Sequence, residues 1–320
     1  MSETPELARS GHATQSWSTR SMPSFLVRNG WTLWHPLMAL LLMTLGVMVT
    51  WEAWADIFRI ASYDEESSQI YLVFPIFAWL VWVRRERLRH CIPRGQFIGV
   101  AIMLVGWILT SYGYYNAIQS FWHGGAVLVV AGGFLAVAGK DVLRRFLPAF
   151  VVLVFLVPVP GRLRLAIAEP LQGYLAVITQ VIFDLLGVEV ERAGHTLQIN
   201  GTQVAIAEAC NGLRMVFSLV LVSYGFAFGT PLRNYVRAII VLASPMSAIL
   251  TNVVRMIPTV WLYGWSGETV MGMPGDEVAN TFHDWAAWPM VIVAFLILMA
   301  IIKVLRWALI PVTPYTLARG

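Results

Sequence analysis

A cysteine stands at the start of a long apolar segment in the middle of the chain. In the stretch "QVAIAEACNGLRMVFSLVLVSYGFAFG", residues 203–229, Cys210 precedes Arg214 by four residues. If the segment is a helix, the free N–H groups of its first turn and the nearby guanidinium stabilise a thiolate, the nucleophilic form of cysteine. The alternative is a small buried cysteine beside an arginine that reaches the membrane surface.

A second arginine lies within an otherwise apolar segment. Arg255 occurs in "ASPMSAILTNVVRMIPTVWLYG", residues 243–264, and Asn252 precedes it by three residues on the same face of a helix. An arginine at the centre of a membrane helix costs about 2.5–3.5 kcal/mol on insertion scales. Its side chain therefore either reaches the lipid headgroups or is directed at a substrate carbonyl or a developing oxyanion.

A histidine stands just before the last apolar segment. His283 occurs in "EVANTFHDWAAWPMVIVAF", residues 277–295, next to Asp284. It is either a polar residue in a headgroup belt, as the neighbouring Trp285 and Trp288 suggest, or a general acid and base. A thiol, a general acid and base, and an oxyanion donor together suffice for acyl transfer through a thioester. The six histidines show no metal-binding spacing, and the sequence predicts no metal or other cofactor.

The composition places these residues in a membrane protein. Of the 320 residues, 58% are hydrophobic and only 12% are charged, and the mean hydropathy is +0.68. Soluble domains are roughly a quarter charged, and no polar stretch here reaches the roughly 50 residues of a small soluble domain. The net charge of +4 comes from short loops, where it indicates orientation in the bilayer and no nucleic-acid partner. The sequence thus predicts an all-α polytopic membrane protein.

Eight segments are candidate transmembrane helices. They cover about residues 35–55, 70–83, 97–115, 121–138, 146–160, 211–229, 234–257 and 286–305. Basic residues cluster at 84–94, 139–145 and 230–237, which predicts that these loops and both termini are cytoplasmic.

The predicted orientation brings the candidate site residues to one level. Cys210, Arg255 and His283 fall at the outer surface of three consecutive spans. Arg162 and Arg164 also fall outside, against the usual excess of basic residues in the cytoplasm.

Two smaller elements are predicted between the fifth and sixth spans. Residues 163–187 have helical periodicity, but their several polar residues favour an interfacial or re-entrant helix. Residues 188–209 alternate between polar and apolar around an Asn-Gly pair, which predicts a small β-meander outside the membrane.

Three motifs in this order resemble those of the exosortase/archaeosortase family. They are "AEACNGLRMVF", "NVVRM" and "FH" before a final span, although Asn211 stands where the family usually has Ser. The resemblance implies an exosortase-like transmembrane domain over 35–305, between a disordered cytoplasmic tail, 1–34, and a short cytoplasmic tail, 306–320. It further implies site residues in named roles: Cys210 as nucleophile, Arg255 as oxyanion or substrate-orienting donor, His283 as general acid and base, and Glu208, Arg214 and Asn252 in support.

The resemblance also implies a function. It implies a cysteine protease and transpeptidase of the bacterial inner membrane, with its active site on the periplasmic side. Its partners are the bilayer and membrane-anchored proteins with a C-terminal sorting signal, which consists of a short motif such as Pro-Glu-Pro, a hydrophobic helix and a basic tail. The product would pass through a thioester to an acceptor in the envelope or the exopolysaccharide.

Other classes of function remain open from the residues alone. Eight helices with an intramembrane arginine also suit a transporter, although no inverted repeat or pair of broken helices is visible. An acyltransferase could use His283 as its base without a covalent cysteine, and a scaffold for envelope machinery would need neither. Cys91 is expected to be a thiol in a cytoplasmic loop, and His123 a residue of the membrane interface.

Overall fold

The computed structural model describes residues 30–64, 67–93, 97–205, 212–264, 269–270 and 273–307. This part of the chain is mainly helical, as the composition predicted. Its α-helices are α1 (Trp34–Val49), α2 (Trp51–Tyr63), α3 (Ile70–Val83), α4 (Phe97–Tyr115), α5 (Gln119–Ala138), α6 (Lys140–Val152), α7 (Gly161–Leu185), α8 (Gly212–Gly229), α9 (Asn234–Tyr263) and α10 (Gly275–Trp307). Its strands are β1 (Val190–Ala193), β2 (Thr196–Ile199), β3 (Thr202–Ala205), β4 (Thr269–Val270) and β5 (Met273–Pro274).

The first predicted span, 35–55, is broken. Helices α1 and α2 meet at 77°. Thr50 lies at the break with a non-helical backbone, and its hydroxyl donates to the Gly46 carbonyl at 2.7 Å. The same hydroxyl accepts a hydrogen bond from the indole of Trp54 at 3.1 Å. The bend is therefore stabilised by local polar contacts that the apolar pattern does not reveal.

The fifth predicted span, 146–160, has different boundaries. Gly139 ends α5 with a φ of 82°, and α6 begins at the next residue, so that the predicted basic loop is already helical. The α-helix ends at Val152 and continues only as a short 3₁₀ turn, Leu153–Leu156. The turn between α5 and α6 is tighter than predicted, because Gly139 tolerates a positive φ.

Eight crossings are not confirmed. Among the described residues, four helices are long and apolar enough to cross a membrane, namely α4, α5, α7 and α9. The bent pair of α1 and α2 makes a fifth if it counts as one span, while α3 and the Arg214–Gly229 part of α8 are apolar but shorter. The predicted tails lie outside the described residues, except for the turn before α1 and the end of α10.

Contacts between arginines and helix ends define one end of the bundle, here called the basic end. Arg84, which follows α3, donates to the Phe228 carbonyl near the end of α8. Arg237, in the first turn of α9, donates to the Ala227 carbonyl at 3.0 Å. Cys91 packs with Ala138 in the same region, where α5 ends. The basic loops therefore meet at one end, because cations pair there with the free carbonyls of helix C-termini.

The opposite end of the bundle is called the meander end. The connections between helices at this end lack clusters of basic residues. Since α3 ends at the basic end, Asp64, which lies before its first turn, lies at the other. Arg164 of α7 donates to the Asp64 carboxylate at 2.9 Å, which places the start of α7 there. Leu175 and Phe183, further along α7, pack against the C-terminal part of α9. Both halves of α7 thus have contacts near the meander end.

The predicted β-meander forms and packs on these helices. Strands β1, β2 and β3 pair antiparallel in sequence order. The Asn-Gly pair makes the second turn, with φ of 49° at Asn200 and 80° at Gly201, as expected for a type I′ hairpin. The Asn200 amide donates to the Gly264 carbonyl at 3.1 Å, which fastens the turn to the end of α9. The meander therefore braces the helix that carries Arg255.

Close glycine contacts hold α4 against α5. A Cβ at Gly99 would lie 2.0 Å from the Ala136 nitrogen, and one at Gly106 would lie 2.7 Å from the Val129 nitrogen. Neither distance is possible for a real side chain. The two backbones can approach only because these positions lack a Cβ, as is common between membrane helices.

Candidate active site

Helix α9 buries a polar stripe that contains the predicted arginine. Arg255 is 3% exposed and Asn252 is 1% exposed. Neighbouring hydroxyls on the stripe are satisfied by the helix itself, since Thr251 donates to the Ser247 carbonyl and Thr259 to the Arg255 carbonyl. Arg255 is therefore not a snorkelling residue, because its side chain is enclosed by protein.

Arg255 and Asn252 form a hydrogen-bonded pair with spare donors. The Arg255 Nη2 donates to Asn252 Oδ1 at 3.2 Å. The Arg255 Nε and the Asn252 Nδ2 are buried, and neither has an acceptor within the described residues. A buried donor without a partner costs about 1–3 kcal/mol, so a site that retains two of them is suited to a ligand that supplies acceptors.

The surroundings of Arg255 are positively charged. Arg214, in the first turn of α8, lies close enough for its charge to repel that of Arg255. Among the described residues, no carboxylate forms an ion pair with Arg255. Two neighbouring guanidinium groups in a partly desolvated site attract an anion or a developing negative charge.

The levels of three helices can be compared from a shared packing layer. Leu219 of α8, Ala248 of α9 and Ala294 of α10 belong to one buried cluster. At a rise of about 1.5 Å per residue, Gly212 and Arg255 each lie about 10 Å from this layer toward the meander end. The first residue of α8 and the buried arginine of α9 are therefore at the same level.

His283 lies on the adjacent helix, toward the same end. Helix α10 begins at Gly275 rather than near 286, so His283 is within the helix. Leu298 of α10 packs with Ala227 and Ile240 close to the basic end, which sets the direction of α10. Counting back from the layer at Ala294 places the His283 backbone about 16 Å toward the meander end, one turn beyond Arg255. Its side chain lies outside the described part of the structure.

The predicted nucleophile and its acidic neighbour lie in the connection between β3 and α8. Cys210 and Glu208 are outside the described residues. Cys210 stands two residues before Gly212, the first residue of α8.

A buried acid–histidine pair was missed by the sequence analysis. His123 Nε2 lies 3.0 Å from the Asp56 carboxylate, and the His123 side chain is fully buried. Asp56 also pairs with Arg59 on the same helix. His123 was predicted only as a residue of the membrane interface, and its burial against Asp56 was not foreseen. An aspartate and a histidine, each at the edge of an apolar segment, were the available signal, since such residues pair with one another inside a membrane protein.

The described residues offer no obvious metal centre. They contain no group of three or more His, Cys, Asp and Glu side chains that could hold an ion.

Comparison with known proteins gives the family. The family model described as "Transmembrane exosortase" matches residues 51–300, well over half of the chain. The chain belongs to the transmembrane exosortase family. The match includes all three motifs, from Cys210 to His283, and begins at the bend between α1 and α2. No curated protein and no solved structure matches the chain.

Membership of the exosortase family establishes the general class of protein. The family consists of multi-pass membrane proteins that are in general cysteine transpeptidases or proteases. This class is consistent with the apolar helices of the chain.

Proposed function

We propose that the chain is a membrane-embedded cysteine protease and transpeptidase that cleaves C-terminal sorting signals. The observation that carries the proposal is the buried Arg255–Asn252 pair with its two unpartnered donors, level with the start of α8. The donors are suited to a peptide carbonyl, and the nearest thiol in the sequence is Cys210. The basic end is assigned to the cytoplasm and the meander end to the periplasmic face of the inner membrane.

The reaction starts with attack by the Cys210 thiolate on the scissile carbonyl carbon. A C–S bond forms, and the carbonyl oxygen takes the negative charge, which Arg255 and Asn252 stabilise by donating hydrogen bonds. His283 protonates the leaving amine nitrogen, and the C–N bond breaks. The acyl group is then held as a thioester on Cys210.

In the second half of the reaction, the thioester is broken down and His283 acts as a base. An acceptor hydroxyl or amine, or water, attacks the thioester carbonyl while His283 removes its proton. Loss of the thiolate regenerates Cys210 and completes transfer to an envelope or exopolysaccharide acceptor. Arg214 favours the thiolate in both halves because it adds positive charge at the start of α8. Glu208 is assigned a supporting role only.

The membrane sets the depth at which the substrate presents its scissile bond. A sorting signal with a short motif, a hydrophobic helix and a basic tail places its motif at the outer surface when the basic tail remains in the cytoplasm. The scissile bond is then at the level of Arg255. No metal or other cofactor enters the proposed reaction.

Co-expression with a membrane-anchored reporter that ends in such a signal tests the proposal. Cys210→Ala should abolish cleavage, and Cys91→Ala, the matched change at the other cysteine, should leave it intact. Cleavage that survives in Cys210→Ala but not in His283→Ala would favour the non-covalent acyltransferase class. No cleavage by the wild-type protein with any such reporter would favour a transporter.

A further inference from the structure

An apolar groove lies between α4, α5 and α6, away from the candidate active site. It encloses about 280 Å³, and apart from Ser120 every lining side chain is apolar or a glycine. Its lining along α5 extends from Ser120 near the meander end to Leu135 near the basic end. These residues are fifteen apart, so the groove is about 22 Å long, most of the roughly 30 Å hydrocarbon thickness of a bilayer.

The groove adjoins a second cavity at the meander end. Ser120 lines both spaces, and the second encloses about 710 Å³. Its other lining residues include Tyr114, Gln119, Trp122 and Arg162. Tyrosine and tryptophan are enriched where membrane proteins meet lipid headgroups, which is the level that the cavity occupies.

The cavity carries positive charge. Arg162 is exposed, and no carboxylate in the described part of the chain pairs with it. Its neighbour Arg164 is paired with Asp64, so Arg162 is the cation on this wall that is available to a ligand. Gly161 begins the long helix α7 beside it, and the positive end of the helix dipole adds to the field.

We propose that the groove and the cavity together bind one lipid with an anionic phosphate headgroup. An acyl chain lies along α5 in the groove, and the phosphate lies at Arg162, with Gln119 and Ser120 as further hydrogen-bond donors. This site gives a role to Arg162, which lies at an end of the molecule that is otherwise poor in basic loops.

The dimensions favour an acyl chain over a peptide helix. A helix about 10 Å wide displaces on the order of 1,700 Å³ over 22 Å, about twice all the empty space in and around the groove, which is about 790 Å³. The site is also separate from the proposed catalytic residues. Arg162 and Phe183 are 21 residues apart on α7, which corresponds to about 31 Å, and Phe183 lies in the part of that helix that packs against α9.

Photocrosslinking of the full chain tests the proposal. The purified protein in detergent is incubated with a phosphatidylglycerol that carries a diazirine in one acyl chain, and crosslinked peptides are mapped by mass spectrometry. Crosslinks should concentrate in residues 102–109, 124–135 and 150–157. Unlabelled phosphatidylglycerol should compete at least fivefold better than diacylglycerol, which lacks the phosphate.

Two pairs of variants separate the groove from the headgroup site. Gly124→Phe fills the groove, whereas Gly124→Ala is its control, because a Cβ there meets only Val157 at 3.7 Å. Arg162→Gln removes the charge, and Arg233→Gln is the matched change at an exposed arginine of the basic end. Crosslinking should fall about fivefold or more in Gly124→Phe and Arg162→Gln and stay unchanged in both controls.

Three results would overturn the lipid site. They are crosslinks spread evenly over exposed apolar faces such as α1, equal competition by diacylglycerol, and wild-type crosslinking in Arg162→Gln. If Gly124→Phe fails to fold, Arg162→Gln still decides, since its side chain is exposed and is not part of the core.

Discussion

Arg255 donates to Asn252 across one turn of α9, and each residue of the pair keeps a buried donor without a described acceptor. The donors of Arg237, at the other end of the helix, are by contrast satisfied by neighbouring acceptors. The two arginines occupy the same helix about 27 Å apart. Arg255 is therefore a candidate ligand-binding group, whereas Arg237 caps the end of a neighbouring helix.

Replacement of Asn252 by Asp tests the value of the free donors. The new carboxylate would pair with Arg255, neutralise its charge and remove the Nδ2 donor. We expect turnover to fall about 10²-fold or more, as for loss of an oxyanion donor, while the thermal unfolding midpoint is kept. Thr251→Val is the control, because the Thr251 hydroxyl bonds only within the helix. Equal activity of Asn252→Asp and wild type would exclude Asn252 from the site.

Arg255→Lys tests the planar fork of the guanidinium. Lysine retains the charge but cannot reproduce two aligned donors. The variant should accumulate normally and process substrate at least tenfold more slowly per molecule, about 1.4 kcal/mol in barrier. Arg237→Lys, the matched change at the basic end, should lower the yield of folded protein with little effect on turnover. Normal turnover with a low yield of folded Arg255→Lys would show that Arg255 has a structural role and no catalytic one.

Much of the fold was predictable because local patterns dominate it. The Asn200–Gly201 turn and the helix from Gly161 followed from turn chemistry and helical periodicity. The break at Thr50 was not predictable, because it depends on a hydroxyl that bonds to Gly46 and Trp54 within an uninterrupted apolar segment. Periodicity carries no signal for such a contact.

The candidate site was predictable as a set of residues but not as a geometry. The spacing of Asn252 and Arg255 indicated a shared helix face, and the structure adds their burial and the spare donors. The sequence left open whether Arg255 snorkels, since that depends on what α8 and the meander pack against. The Asp56–His123 pair was missed for a similar reason, because its partners are 67 residues apart and meet only through tertiary packing.

The Asp56–His123 pair should contribute to stability and not to turnover. His123→Leu leaves the Asp56 carboxylate buried with only Arg59 as a partner. Breaking a buried pair costs up to about 3–5 kcal/mol, so the thermal unfolding midpoint should fall clearly. The double variant with Asp56→Leu should recover part of the loss, because no uncompensated charge remains. Turnover normalised to folded protein should match wild type, and a large loss there would implicate the pair in the reaction.

The orientation of the bundle can be tested with single cysteines in a background without Cys91 and Cys210. An impermeant thiol reagent applied from the periplasmic side should label cysteines at Tyr63 and Gln198, which are exposed at the meander end. It should not label cysteines at Glu86 or Lys140, which are exposed at the basic end. The opposite labelling would place the candidate site in the cytoplasm.

The most direct test of the central claim is to capture the thioester on Cys210. A peptide with the sorting motif is incubated with the His283→Ala variant, quenched in acid and analysed by mass spectrometry. Cys91 is an internal control, because burial raises the pKa of its thiol and its Sγ contacts the Arg87 carbonyl. The account predicts a hydroxylamine-sensitive acyl adduct on Cys210 alone. Cleavage of the substrate at the wild-type rate by Cys210→Ala, with no adduct on Cys210 in any variant, would contradict it.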